Sequence, residues 1–218
     1  MIARALVRYV AGDAARAERW VAPVVLFMIV TVSGTAAGGA VLDGYGLTLT
    51  ALFPISVWVA VTVLNSEDPV QTLITTVTVG SSFRVRAAKL LVALAACQVM
   101  TLFAVVWPLL TGHPAGPGEV CAGLLGHLLS SLAGVAVGSS LGRPVVRRPA
   151  GVVLIGLAAF LVEVLVPGFA PVRPLAVAFS GSDATGVPWD VLAVVTLQTL
   201  AGAVAVILLA QRLARGRG

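Results

Sequence analysis

Six stretches of this chain are apolar over about the length of a bilayer crossing and nearly free of charge. That pattern limits the possible folds more than any other feature. A helix needs about 20 mostly apolar residues, roughly 17–25, to cross the hydrocarbon of a membrane. Residues 21–40, 47–64, 90–110, 120–141, 150–166 and 191–210 each meet that length. Lys and Arg lie only at their margins, and the one acid and one histidine inside them are Glu163 and His127. Barrel strands would show alternating segments of about 10 residues, and nothing here alternates. A soluble domain would carry about 25% charged residues, against 11% in this chain. The expected fold is an all-α integral membrane protein, a single transmembrane domain over residues 1–218 with six spans.

The basic residues set the orientation. The formal charge is +5, which by itself would also suit a nucleic-acid binder. With six spans both termini share one side, and that side receives every one of the 14 Lys and Arg except Arg173. They comprise Arg4, Arg8, Arg16 and Arg19, then Arg84, Arg86 and Lys89, then Arg143, Arg147 and Arg148, and finally Arg212, Arg215 and Arg217. Such a bias assigns both ends to the cytoplasm and removes nucleic acid as a partner. Trp20 falls at the inner interface, and Trp107 and Trp189 at the outer one, as interfacial belts do. The apolar run closing on Thr35-Ala36-Ala37 looks like a signal peptide. A leader of some 20 residues and five following spans favour its retention.

The leader, residues 1–20, repeats Ile2, Ala5, Leu6, Tyr9 and Val10 at helical spacing, with Arg4 and Arg8 off the stripe. It reads as an amphipathic helix in the headgroup plane. The second loop is more informative. Asp68 is a good N-cap and Pro69 suits the first helical position. Val70, Leu73, Ile74 and Val77 then follow the i, i+3, i+4, i+7 pattern, with Gln71, Thr72, Thr75 and Thr76 between them, and Gly80 is a stop. So short a helix is not stable alone. Its apolar face is expected to dock on the protein's own spans, the lipid surface or a cytoplasmic partner. Asp43–Gly46 and Thr111–Glu119 read as turn-rich outer connectors. Between spans five and six, Pro167, Pro171, Pro174 and Pro188 flank an apolar Leu175–Phe179. That segment suits a pair of short outer helices.

Several chemistries are missing. There is no Walker A sequence around Lys89 and no zinc-type His-Glu-x-x-His, and Cys97 and Cys121 make no metal spacing. The Ser180-Gly181 pair lacks the first Gly and the later His of a rhomboid protease. Within the spans, Glu163 and His127 are candidates for a substrate path, because ionisable groups at depth face cavities or partners. Alternatively Glu163 reaches the outer surface and His127 bonds a neighbouring carbonyl. Gln98 and Gln198 are interhelical hydrogen-bond candidates and secondary path candidates. Gly134, Gly138 and Gly142 repeat a small-residue step that lets another helix approach, within the bundle or between subunits. Pro54 sits in the middle of span two.

The arrangement resembles the permease subunits of ATP-binding cassette exporters of the second type. It shares their amphipathic leader, six spans, the capped helix after span two and a proline-rich outer segment before span six. The resemblance implies that the leader is an interface helix. It also implies that Asp68, Val70, Leu73, Ile74 and Val77 belong to a coupling helix seated in a separate ATPase subunit. Two permease copies, usually identical, would enclose a central path, with ATP and Mg held by the partner ATPase and no cofactor in this chain. The family exports drugs, peptides, polysaccharides or lipid-linked molecules from the bacterial cytoplasmic membrane. The compact outer segment does not support a large polysaccharide path, and a mostly apolar cavity would suit a hydrophobic or amphipathic cargo. The Ala-, Val-, Gly- and Arg-rich composition hints at a GC-rich bacterium, where the resemblance implies antibiotic self-resistance. Two other readings are the substrate-binding membrane subunit of an energy-coupling vitamin importer, and a non-transport membrane scaffold.

Overall fold

Two long apolar helices that carry glycine where they meet form the centre of the structure. The computed structural model describes residues 2–36, 39–142, 149–166, 171–180 and 186–215. Among them the helices are α1 (Ile2–Arg16), α2 (Val21–Ala36), α3 (Val41–Leu64), α4 (Pro69–Val79) and α5 (Ser82–Leu110). They continue with α6 (Pro117–Leu141), α7 (Pro149–Leu165), α8 (Val172–Ser180) and α9 (Trp189–Arg215). The described residues contain no strand. The expected basic loop with Arg143, Arg147 and Arg148 lies outside the described residues, as do Ala37, Pro167, Gly181 and Arg217.

α3, α5, α6 and α9 are long and apolar enough to cross a membrane. This is the composition of an all-helical membrane protein. α1 and α2 meet at 77° and would add a fifth crossing if the pair were one broken span, while the apolar part of α7, Leu154–Leu165, is shorter. α3 and α6 are the most enclosed of the long helices and α9 is the least.

A Cβ on Gly134 would stand 2.5 Å from the Phe53 carbonyl oxygen, and one on Gly138 would stand 2.6 Å from Ala60 Cβ. Gly142 is equally tight against Leu64, and Gly123 against the Tyr45 ring. The small-residue face of α6 is therefore used within this chain, where it lets α3 approach closely. Leu52, Ile55, Val59 and Val63 of α3 pack toward α5 and toward Leu6 and Val10 of α1. Further along, Tyr45, Leu49 and Phe53 pack against Leu129 of α6, Leu175 and Phe179 of α8 and Leu192 of α9.

Several boundaries differ from the sequence expectation. Asp43–Gly46 is not a connector but the opening of α3. Asp43 favours a helix N-terminus, and Gly46 lets Ala176 and Phe179 of α8 approach. α5 begins at Ser82, with the Ser81 side chain accepting from the Arg84 N–H, so Arg84, Arg86 and Lys89 lie on a helix and not in a loop. Of the expected pair of outer helices, the described residues hold one, α8, which buries Val172, Leu175 and Phe179.

Candidate functional site

The end of the bundle that carries α1, α4 and the start of α5 holds the most organised polar group in the chain. Asp68 caps α4 by accepting from the Val70 N–H at 2.9 Å. Gly80 ends the helix in the left-handed conformation at φ 70°, donating to the Thr76 and Val77 carbonyls. Sequence-local chemistry thus explains why α4 starts and stops where it does.

Its mounting comes from elsewhere in the chain. Glu67, just before the cap, forms a 2.7 Å ion pair with Lys89 of α5, and both side chains are almost fully buried. Thr72 and Thr75 of α4 donate to the same carboxylate at 3.2 and 3.4 Å. Lys89 also donates to the Leu64 carbonyl at 3.4 Å. From α1, the Tyr9 hydroxyl accepts from Gln71 Nε2 at 2.6 Å. The Glu67 carboxylate thus ties α4 to α5, and Gln71 ties α4 to α1. Burial by itself would raise the Glu67 carboxyl, but Lys89 and the Thr72 hydroxyl outweigh it and hold it below the usual carboxylate range.

This mounting turns α4 around. The threonine face looks inward over the buried pair, and the apolar stripe looks out. Val70, Leu73, Ile74 and Val77 are 65, 62, 62 and 74% exposed, and α4 buries none of its residues. Of the three expected docking surfaces, the chain's own spans are not used. Neither Glu67 nor Tyr9 is a site candidate on the sequence alone; Tyr9 belongs to the leader's apolar stripe by spacing and is instead a 41% exposed hydrogen-bonding residue. The signal that was present is the chain's one lysine, placed at the head of an apolar span where arginine is used elsewhere.

The polar residues inside the spans lie apart from this group and from one another. His127 is fully buried. Its Nδ1 faces the Gly123 carbonyl at 2.7 Å, which assigns the proton to that nitrogen, and Nε2 accepts from the Thr48 hydroxyl at 2.9 Å. Tyr45 meets the ring edge-on at 5.8 Å and donates to the Val105 carbonyl. Both ring nitrogens are engaged, so the imidazole ties α6 to α3. Glu163 is 5% exposed and accepts from the Val172 N–H at 3.4 Å, sitting at the start of α8 where negative charge is favourable. Gln98 donates to Ser131 at 3.1 Å, joining α5 to α6. Gln198 is on the exposed side of α9. Among the described residues no hydrogen bond or ion pair links any two of these four, and no group of three or more His, Cys, Asp or Glu is placed to hold a metal.

No protein-family model, curated protein or solved structure matches this chain.

Proposed function

We propose that this chain is the membrane permease subunit of an ATP-driven exporter, and that α4 is the helix through which a separate ATPase moves it. The observation that carries the reading is the mounting of α4. A capped helix is fastened to α1 and, through Glu67, to α5 by its polar face and presents four large apolar side chains outward. An apolar stripe left in water is unfavourable by roughly 25 cal/mol per Å², so a partner cleft is its natural cover.

In this reading the spans number six. α1 lies along the cytoplasmic surface, its 77° turn into α2 being the elbow between an interfacial helix and a span. α2 and α7 are 16 and 17 residues long, near the lower limit for a crossing. The arginine distribution supports a topology with both termini and α4 in the cytoplasm, which in this reading is that of a bacterial cell. Two copies pair around a path, and ATP-driven closure of the ATPases displaces α4. Because α4 is locked to α5 through Glu67 and Lys89, the displacement becomes rigid-body rocking of spans. The cargo is a hydrophobic or amphipathic small molecule, peptide or lipid-like antibiotic. An importer subunit of the energy-coupling kind would contact its partner through small-residue helix faces. Here Gly134, Gly138 and Gly142 are taken by α3, which weighs for the exporter reading.

The test is purification of the tagged chain from its native membrane, with the partner identified by mass spectrometry and ATP hydrolysis measured on the complex. An ATPase in stoichiometric amount is expected, lost in the Leu73→Asp/Ile74→Asp variant while the permease itself stays folded. Retention of the ATPase by that variant, or a stoichiometric partner without ATPase activity, would overturn the proposal.

A further inference from the structure

An apolar groove of about 210 Å³ runs between α2 and α5. Its walls include Trp20, Val24 and Met28 on one side and Ala96, Val99 and Phe103 on the other. The two ends differ. At the far end Phe103 stacks on Trp107 at 5.5 Å, and the Trp107 indole donates to Thr35 of α2 at 3.0 Å. That bond ties the two helices together beyond Phe103. At the near end the wall is Trp20, whose indole is pinned against the last turn of α1 by donating to the Ala15 carbonyl at 3.1 Å. Arg16 and Arg19, both exposed, precede that indole within four residues, with the exposed Glu18 between them.

We infer that this groove is a binding site for an anionic phospholipid of the inner leaflet, one acyl chain lying between α2 and α5 and the headgroup meeting Arg16 and Arg19. The match is of shape and charge together: an apolar slot between two helices tied at one end, with two exposed arginines within four residues of its Trp20 wall at the other. From Trp20 to Met28 the helix rises about 12 Å, less than half of a hydrocarbon core of about 30 Å, so the slot stays within one leaflet. Trp20 sits where an indole anchors at the headgroup level. The inference uses the placement of α1 at the cytoplasmic surface and is independent of any ATPase.

The test is native mass spectrometry on the full chain, delipidated in detergent and titrated with phosphatidylglycerol or phosphatidylcholine of identical acyl chains. Each arginine at a membrane surface favours an anionic headgroup by about fivefold, and Glu18 opposes part of this. A preference for phosphatidylglycerol of order tenfold is therefore expected. Arg16→Gln/Arg19→Gln should bring the ratio close to one without changing phosphatidylcholine binding. Val99→Trp, which fills the slot from an exposed position, should weaken both lipids. Chains brominated at mid-length should quench wild-type fluorescence more than that of Trp20→Phe. Equal binding of the two lipids by the wild type, or a preference that survives loss of both arginines, would overturn the inference. So would a Val99→Trp variant that changes the oligomeric state while binding lipid normally, since the groove would then belong to a second copy. None of these measurements involves an ATPase, so failure here and failure of the exporter reading are distinguishable.

Discussion

Removing the charge of Glu67 should destabilise the protein far more than removing Glu67 and Lys89 together. At 2.7 Å and an effective dielectric of about 20, the two charges attract by about 6 kcal/mol. Several kcal/mol are lost for each ion taken out of water, so the intact pair contributes little net stability. A lone survivor is another matter, because an unpaired buried charge costs about 3–5 kcal/mol. For a chain of this size each kcal/mol lowers the melting temperature by about 2–4 °C. Glu67→Gln should therefore lose about 6–20 °C, and Lys89→Met a similar amount. Glutamine keeps one acceptor oxygen, enough for Thr72 but not for Thr75 as well, so the single variant removes the charge together with one threonine bond. The double variant leaves no unpaired charge and should recover most of the loss. The assay is thermal unfolding in detergent followed by circular dichroism on all four proteins of the cycle. Amide exchange over residues 69–79 should quicken in Glu67→Gln, since a helix of 11 residues does not hold by itself. Additive losses in the double variant, or single variants within about 1 °C of wild type, would refute the reasoning.

The same carboxylate gives a pH dependence of known sign. Its pKa is depressed in the folded state, so its contribution is present above the ordinary carboxylate range and is lost as pH falls through the lower folded value. Exchange protection of α4 should thus survive to pH values below those at which exposed carboxylates protonate, and Glu67→Gln should remove that acid transition. On α6, Gly138→Ala puts a methyl 2.9 Å from the Val57 carbonyl oxygen and should cost about 1–3 kcal/mol by overpacking. Gly202→Ala on α9 meets nothing within 4 Å and should be neutral or stabilising by up to about 1 kcal/mol. Parallel melting curves of these two variants check the contrast.

Much of the helical layout was legible because it depends on near neighbours. Asp68, Pro69 and Gly80 bound α4 within a residue of the expected limits, since capping is a local bond between a side chain and an amide a few residues away. The ends of the apolar helices were harder. Asp43–Gly46 has the composition of a turn, yet α8 packs on Gly46 and the segment is helical; tertiary contact overrides propensity there. The path candidates were visible only as residue types. That His127 has both nitrogens occupied, or that Glu163 stands at the start of α8, depends on helices distant in the chain.

By itself the sequence determined that this is a helical membrane protein, where the long apolar helices run, and that α4 is amphipathic. These follow from composition and from a 3.6-residue period, both of which act within one segment. Which way α4 faces was decided by tertiary structure alone. A period says that two faces differ and not which one is turned inward, and burying the apolar stripe is the ordinary outcome. Here Lys89 arrives from α5 beneath the corner and draws Glu67 into the bundle, and the carboxylate then takes Thr72 and Thr75 with it. The polar face goes in because it alone can supply hydrogen bonds to a buried charge, and the apolar stripe is left outside.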